Sequence, residues 1–432
     1  MNKKLIRITT VPMALRYLLP GQMKFMKENG FDVLMISADG IERNEVIQNE
    51  TCEHIIVPMT RQITPLQDLK CLFALIKIFK KEKPDIVHTH TPKAGLLGML
   101  AARISGVNLR IHTVGGMPLL TRKGFSFHLL KFLEKLTYFF ASQVWPNSGS
   151  LMRYILREKL APERKVTLIL NGSSNGIDLS RFNKQVFDPQ IVKKIKDSIK
   201  FDDKNFYLFF LGRLVCDKGI VELVNVFKRL SQKYVNLRLI LAGKYETELD
   251  PLPQQTIAEI ENNNSIIYVD WTQVGEYYMS ISNCFIFPSH REGFPNVLLQ
   301  AGAMQLPIIC SNIPGNSDIV DNMQTGLIFE KGNETELHNS IKFAIDYPEK
   351  MKLMAHKLFE KVNKNCAPRA HLADQHVVLD ARLALQLVDQ GRSGFGVVAF
   401  DPCPRHVAPH HQARVFAQQS LALPFDAKAL RF

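Results

Sequence analysis

Short apolar runs alternate with longer amphipathic stretches, and the alternation begins twice. This rhythm limits the fold more than any other feature. In the first pass, residues 5–10, 32–36, 85–89 and 110–114 read as strands, and 21–30, 68–81 and 94–105 as helices. The pattern restarts after Lys204. Residues 207–211, 238–242, 266–269, 284–288 and 308–311 read as strands, with a helix over 219–232. A β-α-β rhythm predicts parallel sheets covered by helices on both faces. Two doubly wound α/β units are therefore expected. They join around 171–183, which opens on the turn-forming run Asn-Gly-Ser-Ser-Asn-Gly. Ligands of open α/β sheets bind at the carboxyl ends of strands. Function should concentrate in the loops that follow strands, in both halves.

A length of 432 residues suits two or three domains, at ~100–200 residues each. An apolar share of 46% excludes a disordered or collagen-like chain. No apolar run approaches the ~18–20 residues that cross a bilayer. The opening Met1-Asn2-Lys3-Lys4-Leu5-Ile6 reads as a first strand, not a signal peptide. Seven scattered cysteines suggest reduced, packed thiols and a cytoplasmic location. No Cys/His cluster has zinc spacing, so no metal site is expected.

The composition changes near Cys366. Residues 366–432 contain no Ile, Asn, Met or Glu, one Lys and five of the thirteen His, among them His406, His410 and His411. The expected division is 1–183, 184–365, and a non-catalytic tail over 366–432. That tail carries seven basic and five acidic residues of the chain's 54 and 41, so residues 1–365 keep a net charge of +11. Nucleic acid, anionic membrane and phosphate-bearing small molecules all suit a basic body. No zinc finger, aromatic RNA-binding strand or basic tail is present, which sets nucleic acid aside.

Three segments carry candidate chemistry. Gly212-Arg213-Leu214 through Asp217-Lys218-Gly219 follows one strand and opens a helix. A helix start offers unpaired N–H groups to an anion, and Arg213 and Lys218 add two cations. Arg291-Glu292-Gly293-Phe294-Pro295-Asn296 follows another strand, and Gln300 lies in the helix beyond. A carboxylate at Glu292 is placed to accept hydrogen bonds from hydroxyls. Asp85-Ile86-Val87-His88-Thr89-His90 ends a strand in the first half. His88 and His90 point the same way at period two, but no third metal ligand accompanies them. His88 reads as structural, and His90 as more open to function. His112 ends the next strand ahead of Gly115-Gly116, which lets a ligand approach the backbone.

Together these segments resemble the glycosyltransferases of family four, which have the GT-B fold of two Rossmann-like domains facing across a cleft. The resemblance spans about residues 5–360. Glu292-Gly293-Phe294-Pro295 running to Gln300-Ala301 is similar to the family's EGFP…EA motif, with Gln300 where the second Glu stands. Gly212-Arg213-Leu214 and Lys218-Gly219 resemble its diphosphate site, and 85–90 its DIVHxH strand. The resemblance implies a retaining enzyme that uses a UDP-sugar donor. Gly212, Arg213 and Lys218 would hold the diphosphate. Glu292 and His112 would serve the donor sugar. Gln300, with Phe294 and Asn296, would line the nucleotide. An amide at Gln300 still accepts through its oxygen, so ribose binding can survive the change. No Asp-x-Asp sequence occurs, so no metal cofactor is expected.

The first half is expected to take the acceptor. Residues 120–140 mix Arg122, Lys123, Lys131 and Lys135 with Phe125, Phe127, Phe132, Tyr138, Phe139 and Phe140. Such a helix either lies in an anionic membrane interface or packs on its own sheet. The helix over 68–83 is also amphipathic, but it falls between two strands and reads as core. A lipid-linked oligosaccharide acceptor at the inner membrane face, in bacterial surface polysaccharide synthesis, is the preferred reading. A 2-epimerase and a catalytically dead sugar-nucleotide binder are the alternatives.

Overall fold

The computed structural model describes residues 3–169, 172, 176–247 and 250–366. The tail beyond 366 and part of the 171–183 junction lie outside the described residues.

The first half is a six-stranded parallel sheet of β1 (Lys3–Ile8), β2 (Phe31–Ser37), β3 (Glu53–Ile56), β4 (Ile86–Thr89), β5 (Leu109–Val114) and β6 (Gln143–Pro146), ordered β3-β2-β1-β4-β5-β6. Its helices are α1 (Pro12–Leu18), α2 (Gln22–Glu28), α3 (Arg43–Glu50), α4 (Pro65–Glu82), α5 (Pro92–Ile104), α6 (Gly124–Phe140) and α7 (Gly149–Arg157). Proline at the first turn of α1, α4 and α5 costs no hydrogen bond, because those N–H groups have no helical partner.

The second half begins with α8 (Pro189–Ser198) and repeats the plan. Its strands are β7 (Phe206–Leu211), β8 (Leu237–Ala242), β9 (Ile266–Val269), β10 (Cys284–Phe287), β11 (Ile308–Ser311) and β12 (Leu327–Phe329). Their order is β12-β11-β10-β7-β8-β9, the same topology as the first sheet. Its other helices are α9 (Ile220–Lys233), α10 (Gln254–Asn262), α11 (Gly275–Ile281), α12 (Asn296–Ala303), α13 (Asn316–Ile319), α14 (Glu334–Asp346) and α15 (Pro348–Cys366). Helices on both faces explain the unbroken apolar strands: Leu208, Phe209 and Phe210 are all buried. Each sheet has its own apolar core. The last helix packs on α12, where Leu358 and Val362 approach Gly302.

In each sheet the strand order reverses between two central strands, β1/β4 and β7/β10. Connections leave such a pair in opposite directions and open a crevice at its carboxyl edge. That geometry singles out the loops after β7 and β10.

Two sequence expectations need correction. The short helix α1, directly after β1, has no counterpart in the sequence reading, because seven residues hold too few turns to show a period. Nor is α4 simply core. Its inner face buries Cys71, Leu75 and Phe79, but Leu66, Leu69 and Phe73 on its outer face are 81%, 50% and 62% exposed.

Candidate functional site

The loop after β7 reaches α9 through one turn of 3-10 helix, Cys216–Lys218. Gly219 closes that turn at φ +70°, in the left-handed region that favours glycine. A Cβ there would lie 2.2 Å from the Pro288 carbonyl oxygen. The two loops of the crevice are therefore in backbone contact. His290 N–H donates to the Asp217 carbonyl at 2.8 Å, and Arg291 Nε to the Asp217 carboxylate at 2.7 Å.

Lys218 and Glu292, one from each loop, form an ion pair. Ser289 Oγ donates to the same Glu292 oxygen at 2.7 Å. Both charged side chains are mostly buried, at 18% and 15% exposure. The Lys218 ammonium also stands 5.5 Å from the Phe287 ring centre. This cation and carboxylate, fixed at a strand switch point, are the best-organised charged group of the crevice.

Arg213 is held differently. Its guanidinium pairs with Glu246, in the loop after β8. The other Glu246 oxygen accepts from Arg61 of the first half at 2.7 Å. One carboxylate thus binds two guanidinium groups from opposite sides of the cleft. An anion arriving at this loop would have to compete with Glu246 for Arg213. Sequence reasoning did not find Arg61 or Glu246, since a pairing across 185 positions leaves no local signal. Asp217 and Arg291 stood inside the motifs without an assigned role.

The first half meets this site through its backbone. A Cβ on Gly293 would lie 2.2 Å from the Gly115 carbonyl oxygen, so the turn after β5 presses on the Glu292-Gly293 turn. A second junction joins α7 to α13. Ser150 N–H donates to Asp318 at 3.0 Å, and Gly315 N–H to the other Asp318 oxygen at 3.1 Å.

Phe294 packs on the second-half core. Asn296 opens α12, and Gln300 follows one turn later; both are half-buried and share a helix face. Gly212 begins the loop after β7. His112 follows another course. It is three residues from Gly115, but its ring turns into the layer between β5 and α5, where Nδ1 bonds Thr89 Oγ1 at 2.8 Å. A Cβ on Gly95 would lie 2.4 Å from that ring. Burial lowers the His112 pKa to about 4, so the imidazole is neutral at pH 7.

His88 and His90 stack at 4.1 Å on the other face of the sheet. His88 bonds Thr113 at 2.7 Å, and His90 bonds Arg7 at 2.7 Å. Burial drives both pKa values well down. His90, which the sequence left more open to a functional role than His88, is buried as well. Among the described residues, no group of three or more His, Cys, Asp or Glu converges as a metal site.

Residues 192–359 match the family described as Glycosyl transferases group 1, and residues 10–148 match Glycosyl transferase 4-like. The chain is 36% identical over 345 residues to the capsular polysaccharide biosynthesis glycosyltransferase CapM of Staphylococcus aureus, covering 80% of this chain and 88% of that one. It is 25% identical over 348 residues to the UDP-Gal:alpha-D-GlcNAc-diphosphoundecaprenol alpha-1,3-galactosyltransferase of Escherichia coli, covering 80% and 86%. The Anabaena HepE crystal structure in complex with UDP-glucose superposes with a TM-score of 0.69 at 16% identity, over 89% of this chain and 99% of that one. At that identity the likeness shows the fold.

Proposed function

Because the chain belongs to the group 1 glycosyltransferases, with the GT-B fold, we propose that it is a retaining, UDP-sugar-dependent member acting in bacterial surface polysaccharide assembly. It moves a hexose or N-acetylhexosamine to a lipid-diphosphate-linked saccharide. The observation that carries this reading is the convergence of Lys218 and Glu292 at the β7/β10 crevice, beside the Arg213 loop. The names of the S. aureus and E. coli relatives support the pathway and the lipid-linked acceptor.

The donor's diphosphate lies against the loop 212–219. There it replaces Glu246 as the partner of Arg213 and draws on the Lys218 ammonium. As the bond from the sugar's anomeric carbon to the phosphate oxygen breaks, negative charge grows on the diphosphate. Cations already in place stabilise that charge best as it forms; losing one such donor typically costs ~3–4 kcal/mol. Glu292 accepts from hydroxyls of the donor sugar. Asn296 and Gln300 face the nucleotide, with Gln300 bonding the ribose. On the same face, the acceptor oxygen bonds the anomeric carbon, and its proton passes to the departing phosphate oxygen. No enzyme nucleophile is required. His112 acts by position, holding the end of β5 so that the Gly115 turn meets Gly293. Arg213 and Lys218 take the role a metal ion has elsewhere, so chelation leaves transfer intact.

The test uses the full chain, a panel of UDP- and GDP-linked hexoses and N-acetylhexosamines and a polyprenyl-diphosphate N-acetylglucosamine, with and without EDTA. The reading expects one donor to give an α-linked product by NMR, equally in both. A β-linked product contradicts retention, and loss with EDTA contradicts metal independence. No product from any UDP-sugar, with GDP-sugars active, contradicts the donor class.

A further inference from the structure

We infer that Arg61, from the first half, is a further binding residue for the donor's diphosphate, which takes the place of Glu246 between Arg61 and Arg213; this rests on the nucleotide-sugar reading of the crevice. The arrangement of charge carries it. Glu246 Oε1 accepts from Arg61 Nη1 at 2.7 Å, and Oε2 accepts from Arg213 Nη1. Two guanidinium groups therefore stand on either side of one anion. Among the described residues, neither forms an ion pair with any other carboxylate. Two positive charges share a single negative one, so the cluster keeps an excess of positive charge. Both arginine side chains are 41% exposed, whereas that of Glu246 is 15% exposed. The cations are the open side of the cluster. A diphosphate suits the gap better than a carboxylate does. It carries more negative charge and more acceptor oxygens, and a guanidinium binds phosphate oxygens bidentately. Arg213 stands in the loop 212–219, where the nucleotide's phosphates lie. A group that bridges Arg213 and Arg61 is therefore the nucleotide's own.

Both sides of the bridge are built. On the second half, Leu214 N–H donates to the Lys244 carbonyl at 2.8 Å, and a Cβ on Gly243 would strike the Gly212 carbonyl oxygen. The Glu246 loop is fixed against the Arg213 loop by these contacts. On the first half, Lys93, in the first turn of α5, holds the residues on both sides of Arg61. Its ammonium donates to Thr60 Oγ1 at 3.0 Å and to the Gln62 carbonyl. Lys93 is itself paired with Asp68 at 2.6 Å. Arg61 reaches the cleft from a braced loop, so little ordering remains when an anion arrives. Glu246 keeps the two guanidinium groups in place until then. Contact with Arg61 requires the two halves to be together, so Arg61 ties donor affinity to the closed cleft.

The test is calorimetry of the full chain with UDP and with UMP, which lacks the second phosphate. Arg61→Gln should weaken UDP binding about tenfold and leave UMP binding nearly unchanged. Arg61→Lys should recover part of the loss, because it keeps the charge but not the planar fork. Melting temperatures without nucleotide should stay unchanged, since Arg61 is a half-exposed loop residue. A second arm separates contact with the ligand from support through Glu246. A residue that only supported Glu246 would add nothing in the Glu246→Gln background, whereas contact predicts that the loss persists there. Equal UDP binding by the wild type and Arg61→Gln overturns the inference. So does an equal loss for UMP, or a loss that vanishes in the Glu246→Gln background. A loss confined to the KM of a polyprenyl-diphosphate acceptor also overturns it and assigns Arg61 to that second diphosphate. A wild type that binds no UDP overturns the nucleotide-sugar reading as well, so the two failures are distinguishable.

Discussion

Lys218 pairs with Glu292 while Arg213, in the same loop as Lys218, pairs with Glu246, and their substitutions should differ accordingly. Lys218→Ala removes a mostly buried cation and leaves the Glu292 carboxylate with Ser289 but no counter-charge. Turnover of the UDP-sugar should fall ~10²–10³-fold, as when other preorganised donors are removed. Arg213→Ala should act in the same direction. Near-normal rates in both would remove the diphosphate assignment. Glu246→Gln should do the opposite to binding. It frees a half-exposed guanidinium from an ion pair worth ~0.2–1 kcal/mol, so UDP should bind up to ~5-fold tighter by calorimetry. Weaker binding would show that Glu246 itself serves the ligand. Gln300→Glu should preserve or improve donor use; a large loss would show that the amide donates a bond. Arg213, Lys218 and Glu292 were legible in the sequence because each stands in a glycine-punctuated loop directly after an apolar strand. Glu246 and Arg61 were not. The course of His112 was half legible: its strand was evident, but which face its ring takes depends on Gly95 leaving room for it.

Strands and loops set the next level. The Gly115 and Gly293 turns touch across the cleft, and Gly293→Ala places a methyl group 2.2 Å from a carbonyl oxygen. Each core stays intact, so the melting temperature should change little while kcat drops more than about tenfold. Wild-type turnover would show that the turns need not meet. The strands of the first half also set a pH response. Burial lowers His54 on β3 and His112 on β5 to about 4, and drives His88 on β4 and His90 just beyond it well down. The unfolded chain takes up these protons near 6.5 and the folded chain does not. Stability is therefore full above about 6.5 and falls as pH drops toward 4. Glu134 works against this: its raised carboxyl favours the folded state below about 4.5, and that gain is lost as pH rises through about 7. Four imidazoles outweigh one carboxyl. Denaturant midpoints should decline steadily from pH 6.5 to 4.5, and a flat profile would contradict the burial of these rings. At this scale the sequence showed the central strands, whose apolar runs are unbroken. It did not show α1 or the divided character of α4, because what packs on an amphipathic helix's outer face is not encoded in its period.

The whole molecule places two sheets of one topology so that loops from both meet at one crevice. The repeated rhythm made this architecture legible from the sequence. The contacts that join the halves, Asp318 with Ser150 and Glu246 with Arg61, come from positions far apart in the chain and needed the fold to appear. In the described residues no helix is long and apolar enough to cross a membrane. The central claim is that the β7/β10 crevice is a nucleotide-sugar site. Its most direct test is the melting temperature of the full chain, and of Lys218→Ala, with UDP, GDP and UDP-hexoses. A ligand at ~100 times its dissociation constant adds ~2.7 kcal/mol to native stability, enough to resolve. The account predicts a rise with UDP and at least one UDP-hexose that Lys218→Ala abolishes. No rise with any nucleotide, or a rise that the variant keeps in full, would contradict it.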